Sequence, residues 1–144
     1  MTIGEHRDEV VVSEMVIDPA ELGSAVQDPT AGGVVTFLGT VRNHSPGKVG
    51  VTHLVYEAYN ELVEEKILEI VAEARQKWEL VAVRVGHRLG LVEVGEVSVG
   101  VAVSAAHRTE AFAAARYLID ELKRRAPIWK QEHWPGGEEW IEGA

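Results

Sequence analysis

The chain has 144 residues, 46% of them apolar, and carries 14 Lys and Arg against 23 Asp and Glu, a formal charge of −9. Its length and apolar content fit a single domain spanning 1–144 with a real core. The acidic balance argues against nucleic acid or an anionic membrane as partner, and the lack of cysteine removes disulfides, thiolate metal sites, iron–sulfur clusters and a cysteine nucleophile.

Residues 1–9 are polar and read as a loose terminus. They lack the basic-then-apolar form of a signal peptide, and no apolar run reaches the ~20 residues of a membrane span, so a cytoplasmic location is expected. Val10–Ile17 is β-branched and reads as a strand. Asp18-Pro19 pairs a cap with a proline at the first helical position and opens a short helix to about Gln27. Asp28–Gly33 is a turn, and Gly33–Arg42 alternates as a strand. Asn43–Gly50, with Ser45-Pro46-Gly47, reads as a loop, and Thr52–Ala58 as a strand with Leu54, Tyr56 and Ala58 on one face.

Asn60–Trp78 is an amphipathic helix, with Val63, Ile67, Ile70, Val71, Ala74 and Trp78 at helical spacing. Val81, Val83, Val85, His87 and Leu89 alternate as a strand. A turn at Glu93–Glu96 leads to the alternation of Val97, Val99, Val101 and Val103. A second long helix runs from about His107 to Arg125, burying Ala111, Ala115, Leu118 and Leu122. Lys130–Trp134 and Glu138–Ile141 bracket Pro135-Gly136-Gly137 as a terminal hairpin. Paired strands separated by helices predict an α+β fold with antiparallel or mixed sheets, two long helices and that hairpin.

Cations cluster locally in this acidic chain. Leu122 to Lys130 contains Lys123, Arg124, Arg125 and Lys130, and Pro127 ends the helix between the two lysines. Lys123 on the last turn suits the helix dipole, which is its bland explanation; the break also allows both ammonium groups to point into one cleft. Lys130 follows Trp129 in a strand with one face expected to be buried, and a half-buried lysine has an anionic partner or a lowered pKa. That suits a proton donor or an oxyanion stabiliser. His107-Arg108 lies at a strand-to-helix junction. It reads either as a cap with a solvated neighbour or as an anion site on free N–H groups. Arg42 ends a strand beside a loop holding His44, Ser45 and Lys48. The six histidines form no HxxxH or His–carboxylate pair at ligand spacing, and neither a metal nor a cofactor is expected. Neither GxGxxG nor GxxxxGK[ST] occurs.

Four blocks in order give the chain a resemblance to a known family. They are Val34 through His44, Tyr56-Glu57-Ala58-Tyr59, Ser104-Ala105-Ala106-His107-Arg108, and Leu122-Lys123 through Lys130-Gln131-Glu132. Together they resemble the large, catalytic subunit of molybdopterin synthase (MoaE-like). The resemblance implies an α/β-hammerhead-like protomer. It also implies a homodimer that binds two small ubiquitin-like sulfur-carrier subunits at its distant ends, giving a heterotetramer. The implied reaction is a sulfurtransferase step in molybdenum cofactor biosynthesis. Sulfur passes from a Gly-Gly thiocarboxylate tail to cyclic pyranopterin monophosphate, forming a dithiolene. By the same resemblance Thr40, Val41 and Arg42 line the site, and His107 and Arg108 bind the substrate phosphate. Lys123 and Lys130 are catalytic, and Gln131 and Glu132 continue the site. Some family members have lysine where this chain has Thr40 and arginine where it has Gln131. A non-catalytic phosphate-ligand sensor and a purely structural dimeric subunit are the competing readings.

Overall fold

The computed structural model describes residues 2–3 and 7–144. The elements are β1 (Thr2–Ile3), β2 (Arg7–Ser13), α1 (Pro19–Ser24), β3 (Gly33–Thr40), β4 (His44–Ser45), β5 (Lys48–Val49), β6 (His53–Ala58), α2 (Asn60–Lys77), β7 (Ala82–Arg88), β8 (Gly90–Glu93), β9 (Val97–Ala105), α3 (Arg108–Arg125), β10 (Ile128–Trp134) and β11 (Gly137–Glu142). They form a five-stranded sheet in the order β1-β2-β7-β9-β3, a four-stranded sheet β11-β10-β6-β8, and the small β4-β5 pair. Only β2 and β7 run parallel; all other pairs are antiparallel. This is the mixed-sheet α+β architecture expected from the sequence.

Long helices α2 and α3 pack on each other and on the larger sheet, while α1 packs on β3 and β9. Leu22 and Val26 of the α1 region form their own cluster with Ala82 and Ala102, separate from the main core. Covered in this way, β9 is buried from Ser98 to Ala105. The small and β-branched residues of that strand suit a sheet flanked on both sides. The apolar stripe of α2 is fully used: Val63, Ile67, Ile70, Val71 and Ala74 are all buried.

Several boundaries differ from the sequence reading, each for a local reason. The loose terminus expected over 1–9 lies outside the described residues at Met1 and at 4–6. Arg7–Glu9 instead begin β2, where Asp8 is held by Arg75 of α2 through two 2.7 Å hydrogen bonds. β2 ends at Ser13, whose Oγ accepts the Met15 N–H at 3.2 Å and turns the chain early. α1 ends at Ser24, and the chain continues to Gln27 through tighter bonds, Val26 N–H to Gly23 O and Gln27 N–H to Ser24 O. β3 ends at Thr40, not Arg42, because the register shifts between Gly39 and Thr40. A Cβ at Gly39 would lie 2.6 Å from Val99 Cγ1, so only glycine fits there. The 43–50 loop contains the β4-β5 pair, turned at Pro46-Gly47 with Gly47 at φ 77. The sequence reading had no strand at Gly90–Glu93. Gly90, at φ 80, redirects the chain from the large sheet into the small one.

Candidate functional site

The break between α3 and β10 brings the two candidate lysines together. Ala126 cannot stay helical before Pro127 and takes φ −69, ψ 135. β10 starts two residues later. Lys123 is thus on the last turn of α3 and Lys130 inside a strand, paired with Tyr56 on one side and Ile141 on the other. Alternation puts Lys130 on the same face as the buried Ile128 and Glu132. A lysine in that row is partly enclosed by construction.

Both lysines titrate below the ordinary lysine value. For Lys123 the main cause is desolvation, followed by repulsion from Lys130 and Arg42. Its side chain as a whole is exposed, but the ammonium end is more enclosed and donates to the Ala144 carbonyl at 3.3 Å. For Lys130 desolvation again dominates; Glu132 opposes it, and Arg42 and Lys48 reinforce it. Arg42 reaches this place because the bulge at Gly39/Thr40 turns Val41 into the core, 4% exposed, and leaves Arg42 outside. Among the described residues, none of Lys123, Lys130 and Arg42 makes an ion pair with an Asp or Glu side chain. Three cations that repel one another, with no Asp or Glu side chain in contact, leave positive charge free to act on an anion.

One carboxylate closes the edge of this cluster. Glu132 is 6% exposed and accepts from Lys48 Nζ at 2.7 Å and Ser45 Oγ at 3.2 Å. Burial pushes its pKa up, but the hydrogen bond and charge of Lys48, with Ser45 and Lys130, outweigh that and leave it lowered. Lys48 also meets Glu139 at 2.9 Å and lies over the Trp134 ring. These contacts tie the β4-β5 pair onto β10 and β11, while the Lys48 charge still reaches Lys130.

The other expected site residues separate into three groups. Thr40 is exposed at the end of β3, near Arg42. Val41 is core, with its N–H bonded to Glu96 O and its carbonyl to Gly95 N–H; it holds the loop and does not line open space. Gln131 falls on the opposite strand face from Lys130, where its Oε1 meets His133 Nε2 at 2.8 Å. His107 and Arg108 stand at the far end of α3. Lys123 is fifteen residues beyond Arg108 along α3, about 22 Å at 1.5 Å per residue. Arg42 is at the opposite end of the sheet as well, since Gly33 pairs with Ala105 and Thr40 with Val97. An anion site shared between Arg42 and His107-Arg108 therefore does not exist within one chain. His107 occupies the N-cap position but makes no side-chain cap, and both residues are exposed.

An apolar groove of about 510 Å³ lies along α3 between Phe112 and Lys123. It is lined by β3 (Val35, Phe37) and α3 (Phe112, Ala115, Ile119) and runs to Lys123. Phe112 is 63% exposed on its wall.

Two residues near the site were not identified from sequence. Tyr56 stands opposite Lys130, and His87 lies edge-on to the Tyr56 ring at 4.9 Å. The usable signal for His87 was its place in the alternation Val83, Val85, His87, which puts a polar ring on an apolar face. Among the described residues, no group of three or more His, Asp or Glu could hold a metal ion, and no helix is long and apolar enough to cross a membrane.

Comparison with known proteins gives a consistent result. Residues 12–125 match the family model described as MoaE protein. The chain is 49% identical over 123 residues to the molybdopterin synthase catalytic subunit of Thermoplasma volcanium, covering 85% of this chain and 89% of that one. It is 40% identical over 134 residues to the molybdopterin synthase catalytic subunit of Halalkalibacterium halodurans, covering 93% and 81%. The crystal structure of molybdopterin synthase from Staphylococcus aureus superposes with a TM-score of 0.84 at 33% identity, over 92% of this chain and 95% of that one.

Proposed function

The chain belongs to the MoaE family of molybdopterin synthase catalytic subunits, enzymes of molybdenum cofactor biosynthesis, and from that membership we propose that it is a sulfurtransferase acting on cyclic pyranopterin monophosphate. The observation that carries this reading is the mutual repulsion of Arg42, Lys123 and Lys130, none of them paired with an Asp or Glu side chain. A phosphorylated pterin and a thiocarboxylate are both anionic, and holding them side by side requires several fixed cations.

In the proposed reaction a thiocarboxylate sulfur bonds to each of two adjacent side-chain carbons of the pterin as a C–O bond at that carbon breaks, one oxygen leaving with the opened cyclic phosphate and the other as water. Water then breaks the acyl carbon–sulfur bond, so the donor leaves as a carboxylate and the sulfur stays on the pterin. Lys123 polarises the acyl group and neutralises charge during transfer. Lys130 gives up a proton as the cyclic phosphate opens and as the acyl intermediate collapses. Lowered pKa values suit both roles, because a lysine nearer neutrality exchanges its proton more readily. The partner is a small ubiquitin-like subunit that presents the thiocarboxylate on an extended Gly-Gly tail; the term "subunit" in the relatives' names supports an assembly of this kind.

His107 and Arg108 enter the site from a second copy of the chain. A two-fold axis across the β3-α3 groove would run two α3 helices antiparallel, setting Arg108 of one copy beside Lys123 of the other. The edge strand β3, with Val34 and Phe37 exposed, and the exposed Phe112 would be covered by the same contact. Two such dimer sites would take two small subunits, giving a heterotetramer.

Product formation from the cyclic pterin with a thiocarboxylated small partner tests the activity. Mixing Arg108→Ala and Lys123→Ala chains tests the shared site. Random pairing of equal amounts leaves about a quarter of all sites with both residues intact, and that fraction of activity should return. A mixture as inactive as its components rejects the two-chain site.

A further inference from the structure

His87 has no part in the chemistry proposed above, yet it is placed where it can affect that chemistry. It is 2% exposed in the middle of the core. Nδ1 lies 2.9 Å from the Arg88 carbonyl, which can only accept, so Nδ1 carries the proton and Nε2 presents a lone pair. That Nε2 is buried and has no hydrogen-bond partner among the described residues. A buried acceptor left without a donor is costly, so a natural core keeps one only where a donor arrives.

The groups around His87 restrict what that donor can be. From β6 the Tyr56 ring packs edge-on, and the Tyr56 hydroxyl is engaged with Ser98. From β2 the registered neighbour is Val12, whose N–H is given to Glu64 of α2. From α3 and β10 come the charges of Lys123 and Lys130, both of which act on the imidazole. Burial first, and these two charges last, hold His87 down to about 4 against the opposing Arg88 carbonyl. The ring is therefore neutral throughout the working range.

We propose that His87 is a positioning residue for the lysine pair, with Nε2 accepting a hydrogen bond from a water that in turn accepts from the ammonium of Lys123 or Lys130. A carboxylate there would orient a lysine equally well, but it would raise the lysine pKa and cancel the charge that holds anionic ligands. An imidazole kept neutral orients the ammonium and leaves the site cationic. The inference rests on the lysine pair being the reactive centre.

The test follows the lysines directly. NMR titration of the lysine side chains, assigned with Lys123→Arg and Lys130→Arg, is compared between the wild-type chain, His87→Phe and His87→Gln. Phe fills the cavity without an acceptor; Gln restores one. In His87→Phe one lysine should titrate about 0.5–1 pH unit lower than in the wild type, the scale of one lost hydrogen bond to the charged form. His87→Gln should return most of that shift. With the thiocarboxylated partner, the alkaline limb of turnover should move in the same direction. A folded His87→Phe whose two lysines titrate as in the wild type overturns the proposal. Should His87→Phe fail to fold, the wild-type imidazole decides: a hydrogen-bonded Nε2 resonance supports the role, and a free one overturns it. A wild-type chain that makes no product rejects the sulfur-transfer reading, while the lysine titrations still decide the role of His87.

Discussion

Replacing Lys123 or Lys130 with Ala should abolish turnover without harming the fold. At the end of α3, Lys123 gains about 0.3–1 kcal/mol from the helix dipole, and its one direct contact is the Ala144 carbonyl at 3.3 Å. Against this stands its repulsion by Lys130 and Arg42. The sign follows from the lowered pKa. Between the folded value and the ordinary lysine value the unfolded chain binds more protons, so stability rises with pH across that window and is lower below it. At neutral pH the charged pair is a liability, and either Ala variant should melt within about 1 kcal/mol of the wild type, or above it, against a domain stability of about 5–15 kcal/mol. Turnover with saturating thiocarboxylated partner should fall roughly a hundredfold or more, the scale of losing a general acid or an oxyanion donor. Lys→Arg should not restore it, because guanidinium keeps its proton. Thermal melts establish the fold, and single-turnover product assays measure the chemistry. Near wild-type rates in both Ala variants would refute the catalytic assignment and reduce the cluster to a docking surface.

Other expected outcomes concern the frame around the site. Glu73 of α2 receives both Nη groups of Arg125, at 2.6 and 2.8 Å, and the Tyr117 hydroxyl at 2.8 Å, which hold its pKa down to about 2. Its contribution is present above the ordinary carboxylate value and is lost as pH falls toward 2, so Glu73→Gln should lower Tm at pH 7 and match the wild type near pH 2. Asp8→Ala leaves the partly buried Arg75 without its carboxylate and should cost about 1–3 kcal/mol in urea unfolding, since Arg75 keeps the Leu80 and Val81 carbonyls. Gly39→Ala drives a methyl against Val99 and should cost about 1–3 kcal/mol while displacing Arg42, which a rise in KM for the cyclic pterin would register.

Local chemistry made much of this protein legible in its sequence. The periodicities of α2, α3 and β9 needed only spacing, because an apolar stripe at 3.6 or 2 residues has few places to go. Pro127 alone determined that Lys123 and Lys130 would flank a break, since a proline beyond the first turn stops a helix. Tertiary structure decided which strand face each residue took and what lay opposite it. Gln131 adjoins Lys130 in sequence but points away from it, because adjacent residues in a strand alternate. Lys48 pairs with Glu132, a partner 84 residues distant. About 22 Å of helix lies between Arg108 and Lys123, which sets His107-Arg108 apart from the lysines they accompany in the resemblance, and no local pattern encodes that distance. His87 reads as one more residue of an alternating strand; only the tertiary structure, with the Tyr56 ring of β6 against it, leaves a neutral, unpartnered nitrogen within the field of two ammonium groups.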